Sequence, residues 1–172
     1  TRNLDKFEQL KDNRKIEIIH AGILDIDNKK LEQYLSDADA VISCLGHNIT
    51  LKGIFGRPRT LVADALVKVV NAADAVAGKR TVKVILMNTT ACVNRLQGEK
   101  FKGKEKFIMS VLSRLLPPQR DNELALEFLL EKTGTGNKHI EWVAVRPDGL
   151  ADEDDVSEYT VHPSPVRSPI FD

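Results

Sequence analysis

Short continuous apolar runs alternate along this chain with longer stretches whose apolar residues recur at helical spacing. Ala40 to Leu45 is small or apolar throughout, with Asp37 and Asp39 before it and Gly46-His47-Asn48 after it. Such a run predicts a strand covered on both faces, as in a parallel sheet. Thr81 to Met87, with Val82, Val84, Ile85, Leu86 and Met87, and Ile140 to Val145 predict two more strands, which run into Asn88-Thr89-Thr90 and Arg146-Pro147-Asp148-Gly149. Lys15 to His20, rich in β-branched Ile16, Ile18 and Ile19, predicts a further strand that stops at Ala21-Gly22.

The helical stretches lie between these runs. Leu4, Phe7 and Leu10 share one face of a short helix that Asp12-Asn13 stops, and Asp27 or Asn28 caps Lys29 to Leu35. Thr60 to Ala77 places Leu61, Ala65, Leu66, Val69, Val70 and Ala73 on one face, with Pro58 positioned to open the helix and Gly78 to end it. Phe107 to Leu116 is a helix stopped by Pro117-Pro118, and Arg120 to Lys132 turns Leu124, Phe128 and Leu129 inward. Ile49 to Arg57, with Gly53 and Gly56, reads as a loop, and Ala151 to Asp172 as an irregular excursion, acidic and then proline-rich.

Strand, helix and strand in succession form a crossover unit, so the expected class is α/β with a parallel sheet. In such a sheet ligands lie beyond the carboxyl ends of the strands. Three exits thereby become the candidate site: Cys44-Leu45-Gly46, Asn88-Thr89-Thr90 and Arg146 to Gly149. Two readings of them stand side by side, ordinary strand-terminal turns and a ligand-binding rim.

Composition narrows the function classes. The 172 residues favour one domain, and 25 basic side chains balance 25 acidic ones, which argues against a nucleic-acid or anionic-membrane partner. The basic run Lys100, Lys102, Lys104 and Lys106 reads as a solvated face. No apolar run approaches the roughly 20 residues of a membrane span. Cys44 and Cys92 lack metal-ligand spacing and read as reduced core thiols of a soluble cytoplasmic protein. The four histidines are scattered; His47 stands out because it follows the Ala40 strand directly. Gly53-Ile-Phe-Gly56 and Gly134-Thr-Gly136 do not meet the strand-turn-helix condition of a dinucleotide fingerprint.

The order Thr1-Arg2-Asn3, Val41 to Gly46, Leu86 to Thr90 and Val145 to Leu150 resembles the atypical short-chain dehydrogenase/reductase superfamily, and within it the NmrA-like, NAD(P)-binding branch. The resemblance implies a Rossmann-like, doubly wound, mostly parallel sheet flanked by helices and incomplete at both ends. It also implies a single partial NAD(P)-binding domain over the whole chain. Arg2 would contact the 2′-phosphate of NADP, which a planar guanidinium suits, so NADP is favoured over NAD. Ile23 would lie under the adenine. Cys44, Leu45 and Gly46 would line the ribose and phosphates, Thr89 and Thr90 would stand near the nicotinamide, and Pro147 and Gly149 would border it.

The chain departs from that family in specific places. The family's first strand and Gly-rich turn would lie before Thr1, so the chain reads as part of a longer polypeptide, or else Lys15 to His20 pairs directly against Ala40 to Leu45. Exposed strand edges would then invite self-association. The Tyr-x-x-x-Lys pair is absent, since Tyr34 is followed four residues on by Ala38 and Tyr159 by Pro163. An NAD(P)H-dependent oxidoreductase acting on a small molecule is the first expectation. A non-catalytic dinucleotide-sensing regulator or interaction module is the second.

Overall fold

The computed structural model describes residues 4–10, 12–48, 50–150 and 153–171, with Lys6 described through its backbone alone. Strands β1 (Ala40–Ser43), β2 (Val82–Met87) and β3 (Ile140–Val145) form one sheet in the order β1-β2-β3. Both ladders are parallel: Val41 pairs with Val84 and Ser43 with Leu86, while Val82 pairs with Ile140 and Met87 with Val145. All three strands therefore end at one edge of the sheet.

The crossovers are helical. Between β1 and β2 run α2 (Leu51–Phe55) and α3 (Leu61–Ala77); between β2 and β3 run α4 (Gly103–Leu115) and α5 (Pro117–Glu127). An earlier helix, α1 (Asn28–Leu35), packs on α3 and is capped by Asp27, which accepts from the Lys29 amide at 2.9 Å. Side chains alternate across a strand, so Val82, Val84 and Leu86 go inward while Lys83 faces solvent. They meet Val62, Leu66, Val70 and Ala73 of α3, Ala125 of α5 and Leu129 just beyond it in the main core. Truncating a fully buried leucine such as Leu66 or Leu86 to alanine costs about 2–5 kcal/mol.

Gly78 and Gly134 are among the glycines that end helical segments at a positive φ, which side chains disfavour. Gly78 closes α3 at φ 63°. Gly134, at φ 64°, follows a wide π-turn at Phe128–Thr133, and its amide bonds the Leu129 carbonyl at 2.8 Å. Trp142 of β3 donates to the Gly134 carbonyl at 2.7 Å and ties that turn to the sheet.

Several sequence expectations are corrected. Lys15 to His20 is not a strand, and it does not pair with β1, whose ladder partner among the described residues is β2. Its isoleucines have strand composition, but without a ladder that composition decides nothing. Strand β1 is shorter than expected and open on one face, with Ile42 65 % exposed. Val143 and Val145 of β3 are exposed as well. The Ile49 to Arg57 loop contains α2, capped by Thr50, whose Oγ1 accepts from the Gly53 amide at 3.0 Å. Pro58 precedes α3 without opening its first turn; Thr60 is the residue at the cap. Pro117, expected to stop a helix, also begins the next one as its first residue. Residues 153–171 contain no helix or strand.

Candidate functional site

The exit of β1 combines open backbone with a buried brace. Cys44, Leu45 and Gly46 are exposed, and a Cβ built on Gly46 would meet nothing within 4 Å. The next side chain turns inward: His47 is 7 % exposed, with Nε2 at 2.8 Å from Asp121 Oδ2 and Nδ1 at 3.2 Å from the Gly53 carbonyl. Gly53 is required there, because a Cβ would collide with the backbone oxygen of Asn48.

Asp121, on α5, is completely buried and also accepts from the Val62 and Ala63 amides at 2.8 and 2.9 Å. Those amides belong to the first turn of α3 and have no partner within the helix. Asp121 thus caps α3 from another helix and, with its second oxygen shared, holds His47. The arrangement also decides a chemical point. The start of α3 is already filled by a carboxylate, so it is not where a phosphate would settle.

The exit of β2 is braced by the same helix. Asn88 is buried; its Oδ1 accepts from the Thr89 amide at 2.7 Å and its Nδ2 donates to the Asn122 carbonyl at 3.1 Å. Thr89 is half-buried, and its Oγ1 accepts from the Ala91 amide at 3.2 Å, which leaves the hydroxyl hydrogen for another acceptor. Thr90 is buried, 4 % exposed. Gln119 of α5 donates to the Ala91 carbonyl at 2.9 Å and to Glu123 at 3.1 Å. Burial, reinforced by the negative charge of Glu123, pushes the Cys92 thiol up to about 12.

At the exit of β3, Arg146 forms a two-pronged pair with Glu99 at 2.6 and 2.9 Å and donates to the Cys92 carbonyl at 2.9 Å. Both side chains are about nine-tenths buried. Burial opposes ionisation of Glu99. The Arg146 bond, the Asn94 amide and the Ser164 side chain outweigh it and hold the carboxyl at about 2. Pro147 is half-buried and Gly149 exposed, with open space where a Cβ would project.

Residues 1–168 match the NAD(P)H-binding family. The chain belongs to that family. Its α/β fold with a parallel sheet flanked by helices is the Rossmann-like architecture of such a domain, and its ligand class is the nicotinamide dinucleotides, NAD or NADP. No curated protein and no solved structure matches the chain. For an NAD(P)H-binding domain the edge where the strands end offers backbone that a ligand can approach at Gly46 and a free hydroxyl hydrogen at Thr89.

Of the residues expected to touch the cofactor, Cys44, Leu45, Gly46, Thr89, Thr90, Pro147 and Gly149 all follow the ends of adjacent parallel strands. Ile23 lies in a 3-10 turn, Ile23–Asp25, packed on α3, where Lys68 Nζ bonds the Leu24 carbonyl at 3.0 Å and the Ile26 carbonyl. Arg2 lies outside the described residues. A cleft of about 360 Å³ between α1 and α3, lined by Glu32, Asp64 and Lys68, is on the helical flank and touches none of the exits. Sequence reasoning missed Asp121. Its signal was available: Asp121 stands four residues before Ala125 and eight before Leu129, on the stripe that helical spacing sends inward.

Proposed function

We propose that the shared edge of β1, β2 and β3 holds the nicotinamide half of NADP or NAD in an NAD(P)H-dependent oxidoreductase of the atypical short-chain, NmrA-like kind. One observation carries this reading: the parallel register brings Gly46, Thr89 and Pro147 to the same end of the sheet. Had they pointed to opposite ends, no single dinucleotide could reach all three. Cys44 to Gly46 line the ribose and phosphates, Thr89 and Thr90 lie beside the nicotinamide, and Pro147 and Gly149 border it. Arg2 supports NADP over NAD through its guanidinium. The bound cofactor supplies hydride chemistry; this chain's residues orient it and keep water from the buried side of the rim.

A second reading is a dinucleotide-sensing regulator without turnover. The absence of a Tyr-x-x-x-Lys pair favours it, because no lysine then lowers the pKa of a tyrosine proton donor. Titration of the chain with NADPH and NADH, followed by nicotinamide fluorescence, tests the shared part of both readings. Saturable binding that is lost in Gly46→Val supports them; binding unaffected by that change refutes the assigned edge. Hydride transfer to aldehyde or quinone acceptors separates the two, since steady turnover excludes the regulator.

A further inference from the structure

Helix α4 turns one side inward and leaves the other bare. Met109 is buried, and Ser113 donates to Glu123 of α5 at 2.6 Å, which fixes the inner side. At about 3.6 residues per turn, Phe107, Ser110 and Arg114 fall on the opposite side, and all three are exposed. Phe107 is 72 % exposed and Leu115 65 %, with half-buried Val111 between them at helical spacing. Lys104, Lys106 and Arg114 flank this apolar line, while Lys100 and Lys102 lead into it, and all five cations are exposed. Among the described residues, no carboxylate forms an ion pair with any of them.

The charge here is one-sided. Residues 100–115 hold five basic side chains and one acidic, Glu105, which is half-buried and already accepts from Ser168. The balance over the whole chain, which argues against an anionic membrane, averages away this local excess. Lys102 is the N-cap residue of α4 and makes no side-chain cap bond. A helix start is a positive pole, so Lys102, Lys104 and Lys106 gain nothing there from the helix itself.

We propose that this side of α4 docks on the surface of an anionic phospholipid bilayer, its ammonium groups at the headgroups and Phe107 and Leu115 among the acyl chains. The face is the convex outside of a helix, and its apolar members are aliphatic as well as aromatic. Acyl chains accept both, whereas stacked bases need aromatic planes. The lysine stems add apolar length beneath heads that stay at the phosphates. No helix among the described residues is long and apolar enough to cross a membrane, so α4 lies along the interface. The basic run begins one residue after Glu99, the partner of Arg146, so the docked face starts beside the exit of β3. The inference is independent of what the rim binds.

The test mixes the full chain with phosphatidylcholine vesicles, pure or with about one-third phosphatidylserine, and measures bound protein by co-sedimentation. Binding to the anionic vesicles alone is expected, falling several-fold as salt rises to about 0.5 M. Phe107→Ser with Leu115→Ser, which leaves the charge untouched, should weaken it several-fold. Lys102→Glu with Lys104→Glu and Lys106→Glu should abolish it. Circular dichroism verifies each variant's fold, and the lipid and salt dependence of the unaltered chain needs no variant. The proposal is overturned if the chain ignores anionic vesicles or binds neutral ones equally. Unchanged binding in the folded Phe107 and Leu115 double variant overturns it as well. So does release from the vesicles by an equal charge of polyglutamate or single-stranded DNA, which assigns the face to an acidic polypeptide or a nucleic acid.

Discussion

His47 Nε2 and Asp121 Oδ2 lie 2.8 Å apart, joining the end of β1 to α5 across 74 residues of sequence. The same carboxylate caps α3, so one buried side chain fixes a strand exit, a helix start and the helix between the second and third strands. Replacing it removes three hydrogen bonds together.

Asp121→Ala should therefore destabilise far more than an ordinary cap deletion. Loss of a helix cap alone costs about 0.5–2 kcal/mol. Leaving buried donors unmatched raises the expected loss to roughly 3–5 kcal/mol. Urea unfolding of Asp121→Ala, compared with His47→Gln, measures it, and the aspartate variant should be the less stable of the two. Equal and small losses would show that the carboxylate is not the brace described.

Gly46→Val should leave unfolding unchanged while abolishing nicotinamide dinucleotide binding. The free chain has open space at that Cβ, so only a ligand seated against the backbone would meet the added methyls. Paired melting curves and fluorescence titrations read the two effects separately.

The Arg146–Glu99 pair makes stability fall in acid. The carboxyl titrates at about 2 in the folded chain against an ordinary 4.5, so the unfolded chain binds the proton more readily. The stabilisation is complete above about pH 4.5 and drains away as the pH falls towards 2. Glu99→Gln should flatten this part of the profile of denaturant midpoint against pH. It should also lower the midpoint at neutral pH, because Arg146 keeps its burial and loses its counter-charge.

The two cysteines should separate under alkylation. Cys44 is exposed at the end of β1, whereas Cys92 is 1 % exposed with its thiol pushed up to about 12. Iodoacetamide at neutral pH should label Cys44 in the native chain and Cys92 only after denaturation. Saturating NADP(H) should slow labelling of Cys44, a footprint that mass spectrometry reads directly.

Long or strongly patterned elements were legible in the residues. β3 runs from Ile140 to Val145 as expected from its residues, and α3 ends at Gly78 as its stripe predicted. Local composition misled where a decision lay with partners elsewhere. Ile16, Ile18 and Ile19 look like a strand, yet strand formation needs a ladder, and the described sheet places none there. Ile42 looked buried because it is isoleucine; its exposure depends on what covers that face of the sheet. The five-residue α2 contains a glycine and no apolar stripe long enough to register. At the candidate site the glycine and threonine tips could be read from turn chemistry. The brace behind them could not, because Asp121, Asn122 and Gln119 meet their partners only after α5 crosses the strand ends.

The eleven residues of α5 act as a keel for the three strand tips. It grips the first tip through Asp121 and the second through Asn122 and Gln119; the third hangs from the second through Arg146 and the Cys92 carbonyl. A tilt of this one rod would carry all three tips with it. Occupancy at one corner of the rim would then be felt at the others by leverage, with no hinge in the sheet.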